Sequence, residues 1–405
     1  MTYVSDIEAV SGSPGSTGGP EHYEQLAVLA DRHMDLLEEQ PPVCDAELHQ
    51  VLGRHGFTRR ELLKWATVMT VTLGLPPFFD TRVARAARLA NRQVLVWQEL
   101  QSCTGNSEAL LRNTNPDIDT IVLDMLSLEY MEVLMAPSGY AAEEQLRETI
   151  EKHRGRYLAV FEGSLPLEEN FLTIGGRSGL ESAREIARHA RAIVNAGTCA
   201  AYGGIPAARP NPTGAVGVGE FLKKEGIYTP IINLPGCPVN SVNVVGALLE
   251  MLMFGRPPEL DAFGRPVWAY GIRIHDKCER RGNFDAGEFV EGWNDVAGLK
   301  KASCLYKVGC KGPFTYNNCG QVRFNNGTSW PVQAGRGCIG CSEPGCWDTL
   351  TPFEEPVSAR VYSIPFGTDA TADQIGKALL GATALGIAAH AVLTALRAVG
   401  GKKEV

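Results

Sequence analysis

The sequence predicts an α/β protein: a flavodoxin-like doubly wound parallel sheet, then an irregular iron–sulfur cluster domain, then a C-terminal hydrophobic helix. Three observations predict it. Between about Gln93 and Phe254, short β-branched runs alternate with helix-forming stretches, the pattern of parallel strands joined by crossover helices. Beyond 258, histidine and cysteine recur at ligand-like spacings. From Ala378 to Leu396 no formal charge occurs in nineteen residues, long enough to cross a bilayer.

With 405 residues, 44% apolar and 21% charged, the chain can build more than one real core. Its net charge of −8 and lack of a basic cluster argue against a nucleic-acid partner. Residues 1–50 read as a disordered or weakly helical extension: 1–20 are rich in Ser, Gly and Pro, and 21–40 are expected to form a solvated helix. Cys44 is expected to be a free thiol.

Residues 51–90 read as a twin-arginine-type signal region. Arg59-Arg60 precede fifteen mostly apolar residues, Trp65 to Phe79, and Ala84-Arg85-Ala86 offers a small-residue cleavage site. The competing reading is a buried amphipathic helix, which Pro76-Pro77 would break. Export by this route moves proteins already folded around their cofactors, so the cysteines are read as metal ligands and not as disulfides.

Residues 91–258 are assigned to the sheet, with strands at Gln93–Trp97, Thr120–Met125, Tyr157–Phe161, Arg191–Asn195 and Pro230–Leu234. Helices are expected at Ala141–His153, Gly179–Ala190 and Val239–Phe254. Cys103, Cys199 and Cys237 then each follow the carboxyl end of a different strand, with Glu162-Gly163-Ser164 after another. Open α/β sheets bind ligands in the crevice outside those ends. The neighbouring Gly and Pro suit a backbone that must approach an inorganic cluster closely.

Residues 259–368 are assigned to the irregular domain, which carries His275-x-x-Cys278, Cys304, Cys310, Cys319 and Cys338-x-x-Cys341. With the three upstream cysteines these make ten soft ligands, enough for several clusters and hence for carrying electrons over a distance. Zinc is an allowed alternative for His275-x-x-Cys278 and Cys338-x-x-Cys341. Cys346 is surplus and expected to be a buried structural thiol. Residues 369–405 form the anchor helix and tail, where Arg397, Lys402 and Lys403 place the C-terminus in the cytoplasm. Ala382 and Gly386 would admit a neighbouring helix, and His390 suggests a polar or haem-bearing partner.

Cys103-Thr-Gly-x-Ser-Glu, Gly-Thr-Cys199-Ala-x-Tyr-Gly-Gly, Leu-Pro-Gly-Cys237-Pro, His275-x-x-Cys278 and Cys304-Leu-Tyr-Lys-Val-Gly-Cys310-Lys-Gly-Pro resemble the motifs of the nickel–iron hydrogenase small subunit, of the exported, membrane-bound uptake type. The resemblance runs from about residue 52 to the end. It implies a proximal cluster on Cys103, Cys199 and Cys237, a distal [4Fe–4S] cluster on His275, Cys278, Cys304 and Cys310, and a medial [3Fe–4S] cluster on Cys319, Cys338 and Cys341. It also implies a catalytic nickel–iron site on a separate large subunit, no catalytic residue in this chain, and electron delivery to a membrane cytochrome b or other quinone-linked acceptor. The complex would be a higher oligomer of heterodimers at the cell membrane, its main body on the periplasmic side.

The family has a fourth proximal cysteine where this chain has Asn106. The fourth corner is therefore assigned to Glu108, Glu132, Asn106 itself, solvent or nothing, giving a [4Fe–4S] cluster or a variant of it. A lost thiolate should raise the cluster potential. The two further cysteines of oxygen-tolerant members fall at Gly105 and Gly204, so that device is absent. The alternative function is a hydrogen sensor or non-catalytic electron-transfer module on the same scaffold. A relation to cluster-bearing quinone reductases would leave the two downstream clusters unexplained.

Overall fold

The computed structural model describes residues 19–40, 59–89, 93–113, 127–357, 361–364 and 368–400. The chain divides into two compact units, Met1–Glu354 and Glu355–Val405. The first is organised by a five-stranded sheet: β1 (Val94–Glu99), β2 (Ser127–Met131), β3 (Leu158–Glu162), β4 (Ala192–Ala196) and β5 (Ile231–Leu234). Their spatial order is β2-β1-β3-β4-β5 and every pairing is parallel, the flavodoxin-like arrangement the sequence predicts. Four of the expected strands lie within a residue or two of those observed. The expected strand at Thr120–Met125 lies outside the described residues, and β2 begins just after it.

Three helices form a layer at the start of the chain: α1 (Pro20–Glu38), α2 (Arg59–Thr72) and α3 (Asp80–Leu89). In the sheet region follow α4 (Gly105–Leu111), α5 (Tyr140–Lys152), α6 (Gly179–His189), α7 (Gly197–Tyr202) and α8 (Ser241–Phe254). Helix α8 is apolar almost all round, which requires burial on both sides. Val244, Leu248 and Met251 pack towards Trp97, Val160 and Val194 of the sheet, whereas Leu249, Leu252, Met253 and Phe254 pack with the N-terminal helices.

That second contact corrects the solvated helix expected over 21–40. Leu26, Ala30, Met34 and Leu37 of α1 are buried, and Arg82 Nε and Nη2 reach back to the Asp31 carboxylate at 3.0 and 2.6 Å. Helix α2, which opens on the paired arginines, buries Leu62, Trp65, Ala66 and Met69. The break expected at Pro76-Pro77 is present as the turn into α3, where Ala84 and Ala86 are buried mid-helix.

From Gly255 to Glu354 the chain has no regular element longer than five residues, and its apolar centre is small: Ile274, Val290, Leu305, Val308, Trp330 and Val332, with Cys319 and Cys338 among them. In the second unit, a hairpin (Val361–Ile364 with Thr368–Thr371) leads into helix α9 (Ala372–Gly400). Its segment Ile375–Arg397 has a mean hydropathy of 1.8 and is long enough to cross a membrane.

Candidate functional site

The parallel sheet brings Cys103, Cys199 and Cys237 to one rim, because β1, β4 and β5 all end there. Cys199 sits in the first turn of α7, directly after β4. Gly204, at φ +56°, is required beside it: a Cβ there would collide with Cys199 Sγ. Thr198 ties the loops together. Its backbone N–H donates to Gly236 O at 3.0 Å, its hydroxyl oxygen accepts from Gly236 N at 2.9 Å, and its hydroxyl donates to Cys341 O.

These sulfurs are crowded. Burial, then the neighbouring Cys103 and Glu162, push the Cys199 thiol up. Although Cys237 reaches solvent, the protein packed around it pushes its thiol up to about 12, and Cys341, Cys199 and Cys103 add to the shift. Thiols that resist ionisation as a group are relieved by a cationic iron centre among them, so this donor set fits a cluster.

Behind the cysteines lies a fully buried carboxylate. Glu162 Oε1 accepts from Asn106 N at 2.9 Å, Asn106 Nδ2 at 3.1 Å and Ser102 Oγ at 3.1 Å, while Oε2 accepts from Ser107 N at 2.8 Å and Ser107 Oγ at 2.6 Å. It thereby caps α4, whose own N-cap Thr104 makes no side-chain cap. Burial and the adjacent Glu162 charge raise the Glu99 pKa. Of the fourth-corner candidates, Glu108 is exposed and pairs with Arg112 at 2.8 Å. Glu132 accepts from Glu99 N at 2.8 Å and from Gln98 Nε2, and burial pushes it up to about 7.

Where the rim meets the irregular region, Cys319, Cys338 and Cys341 line one cavity of about 610 Å³, together with Cys237. Three residues lining it hold buried polar atoms with no partner among the described residues: Asn317 Oδ1, Trp330 Nε1 and Trp347 Nε1. An apolar chamber with four thiols, one of them Cys237 of the rim, and two orphaned indole N–H groups fits an iron–sulfide group, whose sulfides accept hydrogen bonds. Burial, with Cys310 and Cys341 next, drives the Cys338 thiol far above its ordinary value.

His275 and Cys278 share one 3₁₀ turn, Ile274–Lys277 and its C-cap. After burial itself, Cys310 raises the Cys278 thiol pKa, Cys278 that of Cys304, and Cys304 that of Cys310. Burial and Arg281 lower the His275 pKa and favour the neutral imidazole that can ligate a metal. The ring is held edge-on to Phe284, centroids 4.6 Å apart. Backbone N–H groups of Arg280, Cys338 and Gly340 donate to the sulfurs of Cys278, Cys310 and Cys338 at 3.4, 3.3 and 3.4 Å.

All ten described cysteines are unpaired by disulfides. Among the described residues no three His, Cys, Asp or Glu converge as a single metal ion would need. Cys346 is buried as expected, its thiol pushed up to about 12 by burial and then by Cys341 and Cys237. Cys44 lies outside the described residues. Sequence reasoning missed Thr198 as a cross-link, although it adjoins a ligand cysteine, and missed the Trp330 indole, for which no local signal exists.

The family model for the C-terminal part of the NiFe/NiFeSe hydrogenase small subunit matches residues 270–354, and that for the 20 kDa subunit of NADH ubiquinone oxidoreductase matches residues 103–251. The quinone-reactive Ni/Fe-hydrogenase small chain of Wolinella succinogenes is 52% identical over 351 residues, covering 85% of this chain and 98% of that one. The uptake hydrogenase small subunit of Azotobacter vinelandii is 45% identical over 359 residues, covering 88% and 98%. Among solved structures, the NiFeSe hydrogenase of Desulfovibrio vulgaris Hildenborough aligns with a TM-score of 0.61 at 36% identity, over 65% of this chain and 97% of that one. With its sheet, its rim of cysteines and near full-length likeness to these relatives, the chain belongs to the small subunits of the nickel–iron hydrogenases.

Proposed function

We propose that this subunit relays electrons, released by H2 oxidation in its large subunit, through three iron–sulfur clusters to a quinone-linked membrane acceptor such as a cytochrome b. The observation that supports the reading is a continuous run of thiols: three cysteines meet on the sheet rim, and one of them, Cys237, lines the same cavity as Cys319, Cys338 and Cys341 of the irregular region. Cys103, Cys199 and Cys237 would hold the proximal cluster. Cys319, Cys338 and Cys341 would hold a medial three-iron cluster, and His275, Cys278, Cys304 and Cys310 a distal four-iron cluster. When bound, these groups supply one-electron oxidation and reduction at spaced points.

The chain's own residues hold and tune them. Amide donors to the sulfurs of Cys278, Cys310 and Cys338 stabilise thiolate charge. The neutral His275 imidazole replaces one negative ligand at the exit and raises the potential there. The apolar lining around Cys319, Cys338 and Cys341 keeps water out. No nucleophile or general base is required of this chain.

Arg59-Arg60 would direct export of the folded complex, Ile375–Arg397 would anchor it, and Arg397, Lys402 and Lys403 would hold the tail on the cytoplasmic side. The quinone link is supported by the name of the Wolinella relative. The test is H2-dependent reduction of a soluble quinone analogue by membranes containing the complex. Truncation after Thr371 should abolish membrane quinone reduction while dye reduction by the released complex survives. Equal loss of both activities on truncation, in a complex that still assembles, would refute the anchor's role in delivery.

A further inference from the structure

Asn106 stands three residues after Cys103, but its amide faces away from solvent, into the protein: the residue is 7% exposed. Its Oδ1 accepts from Val239 N at 2.8 Å, its Nδ2 donates to Glu162 Oε1 at 3.1 Å, and its own N–H donates to the same oxygen at 2.9 Å. Gly197, at φ +87°, lies flat against it, and a Cβ there would come within 2.5 Å of Asn106 Oδ1. Val239 is two residues beyond Cys237, and Gly197 two residues before Cys199. One side chain therefore touches all three cysteine-bearing loops.

We propose that Asn106 is a positioning residue and not an iron ligand, so that the sheet-rim site binds its cluster through three thiolates and holds it in a three-iron form with an open fourth corner. The inference rests on the relay reading above and deepens it. Turning the amide towards the cysteines would strip Val239 N–H of its partner in a buried place and leave Glu162 one donor short. Neither acidic candidate substitutes, because Glu108 is engaged at the surface with Arg112, and Glu132 is engaged with Gln98 and Glu99 N. A cubane corner without a protein ligand releases its iron readily, and three thiolates match a three-iron cluster.

The test is spin-quantified EPR of the oxidised complex with its large subunit, since oxidised three-iron clusters are paramagnetic and ordinary oxidised four-iron clusters are silent. The wild type should give two three-iron spins per chain. Asn106→Ala should lower the occupancy of one of them at least two-fold, shift its potential and leave the other unchanged. A single spin in the wild type, with iron content for two four-iron clusters, would overturn the open corner; if Cys346→Ser then created a second spin, that cysteine would be the ligand instead. Unchanged signals and potentials in Asn106→Ala would overturn the positioning role. The wild-type count needs no variant to fold. Absence of iron–sulfur signals altogether would instead overturn the relay reading itself.

Discussion

The sheet region and the irregular region both carry sulfur ligands, yet they hold them in opposite ways. In the first, Cys103, Cys199 and Cys237 hang on the rim of cores built from Val96, Phe161, Val160, Val194 and their neighbours, cores that include no cysteine. In the second, Cys319 and Cys338 belong to the core, beside only six other buried side chains. A sheet with its own apolar core should stand without metal. A region of four- and five-residue helices buries little on its own, and on the proposed reading would depend on bound clusters for order.

The sharpest way to break this contrast is to remove one ligand from each region. Cys338→Ser should unfold 259–354, a loss on the order of 10 kcal/mol if the metal contribution resembles that of structural metal sites, and expose it to proteolysis. Cys103→Ser should cost the rim cluster and leave strand amides as protected as before. Hydrogen exchange on both variants decides it, and equal protection losses would erase the distinction.

Next in size is a tie within the irregular region. Arg265, which is buried, donates to Asp261 Oδ2 at 2.7 Å, Glu343 Oε1 at 3.1 Å and Ser342 O at 3.3 Å, next to Cys341. Arg265→Ala leaves two carboxylates uncompensated and should destabilise by about 3 kcal/mol in denaturant titration. A change under a few tenths would mean that the two ends of the irregular region are not held together through this residue.

A smaller, pH-dependent effect sharpens the account of the sheet region. Glu250 on α8 is fully buried and burial pushes its pKa up to about 8, although Trp268 Nε1 donates to it at 2.6 Å. The native carboxyl keeps its proton from the ordinary 4.5 up to about 8 while the unfolded chain releases it. Stability should therefore fall as pH rises through that window and level off above it. Glu250→Gln should remove the slope, gaining on wild type by at most about 1.4 kcal/mol per pH unit. Parallel stability curves for the two proteins would contradict this. The smallest effect is expected at Glu108, whose exposed pair with Arg112 is worth little: Glu108→Gln should change stability by less than about 0.5 kcal/mol and leave the EPR spectrum intact, whereas a lost signal would restore it as a ligand.

What was legible in the sequence was local. Strands near 94, 158, 192 and 231 follow from β-branched runs, and the rim position of the three cysteines follows from where those runs end. The burial of α1 was not legible, since the surface it covers, Leu252 to Phe254, is more than two hundred residues away in the chain. The role of Asn106 was hidden for the same reason: its partners Glu162 and Val239 come from other strand ends. Charge pairs such as Arg265 with Glu343 carry no periodic signal at all.

If this chain carries the electrons of H2 oxidation, the purified two-subunit hydrogenase should change its visible absorbance when H2 is admitted without added dye: the broad iron–sulfur absorbance should bleach as the clusters fill with electrons. Unchanged absorbance, in a preparation whose large subunit still exchanges H2 with deuterated water, would contradict it.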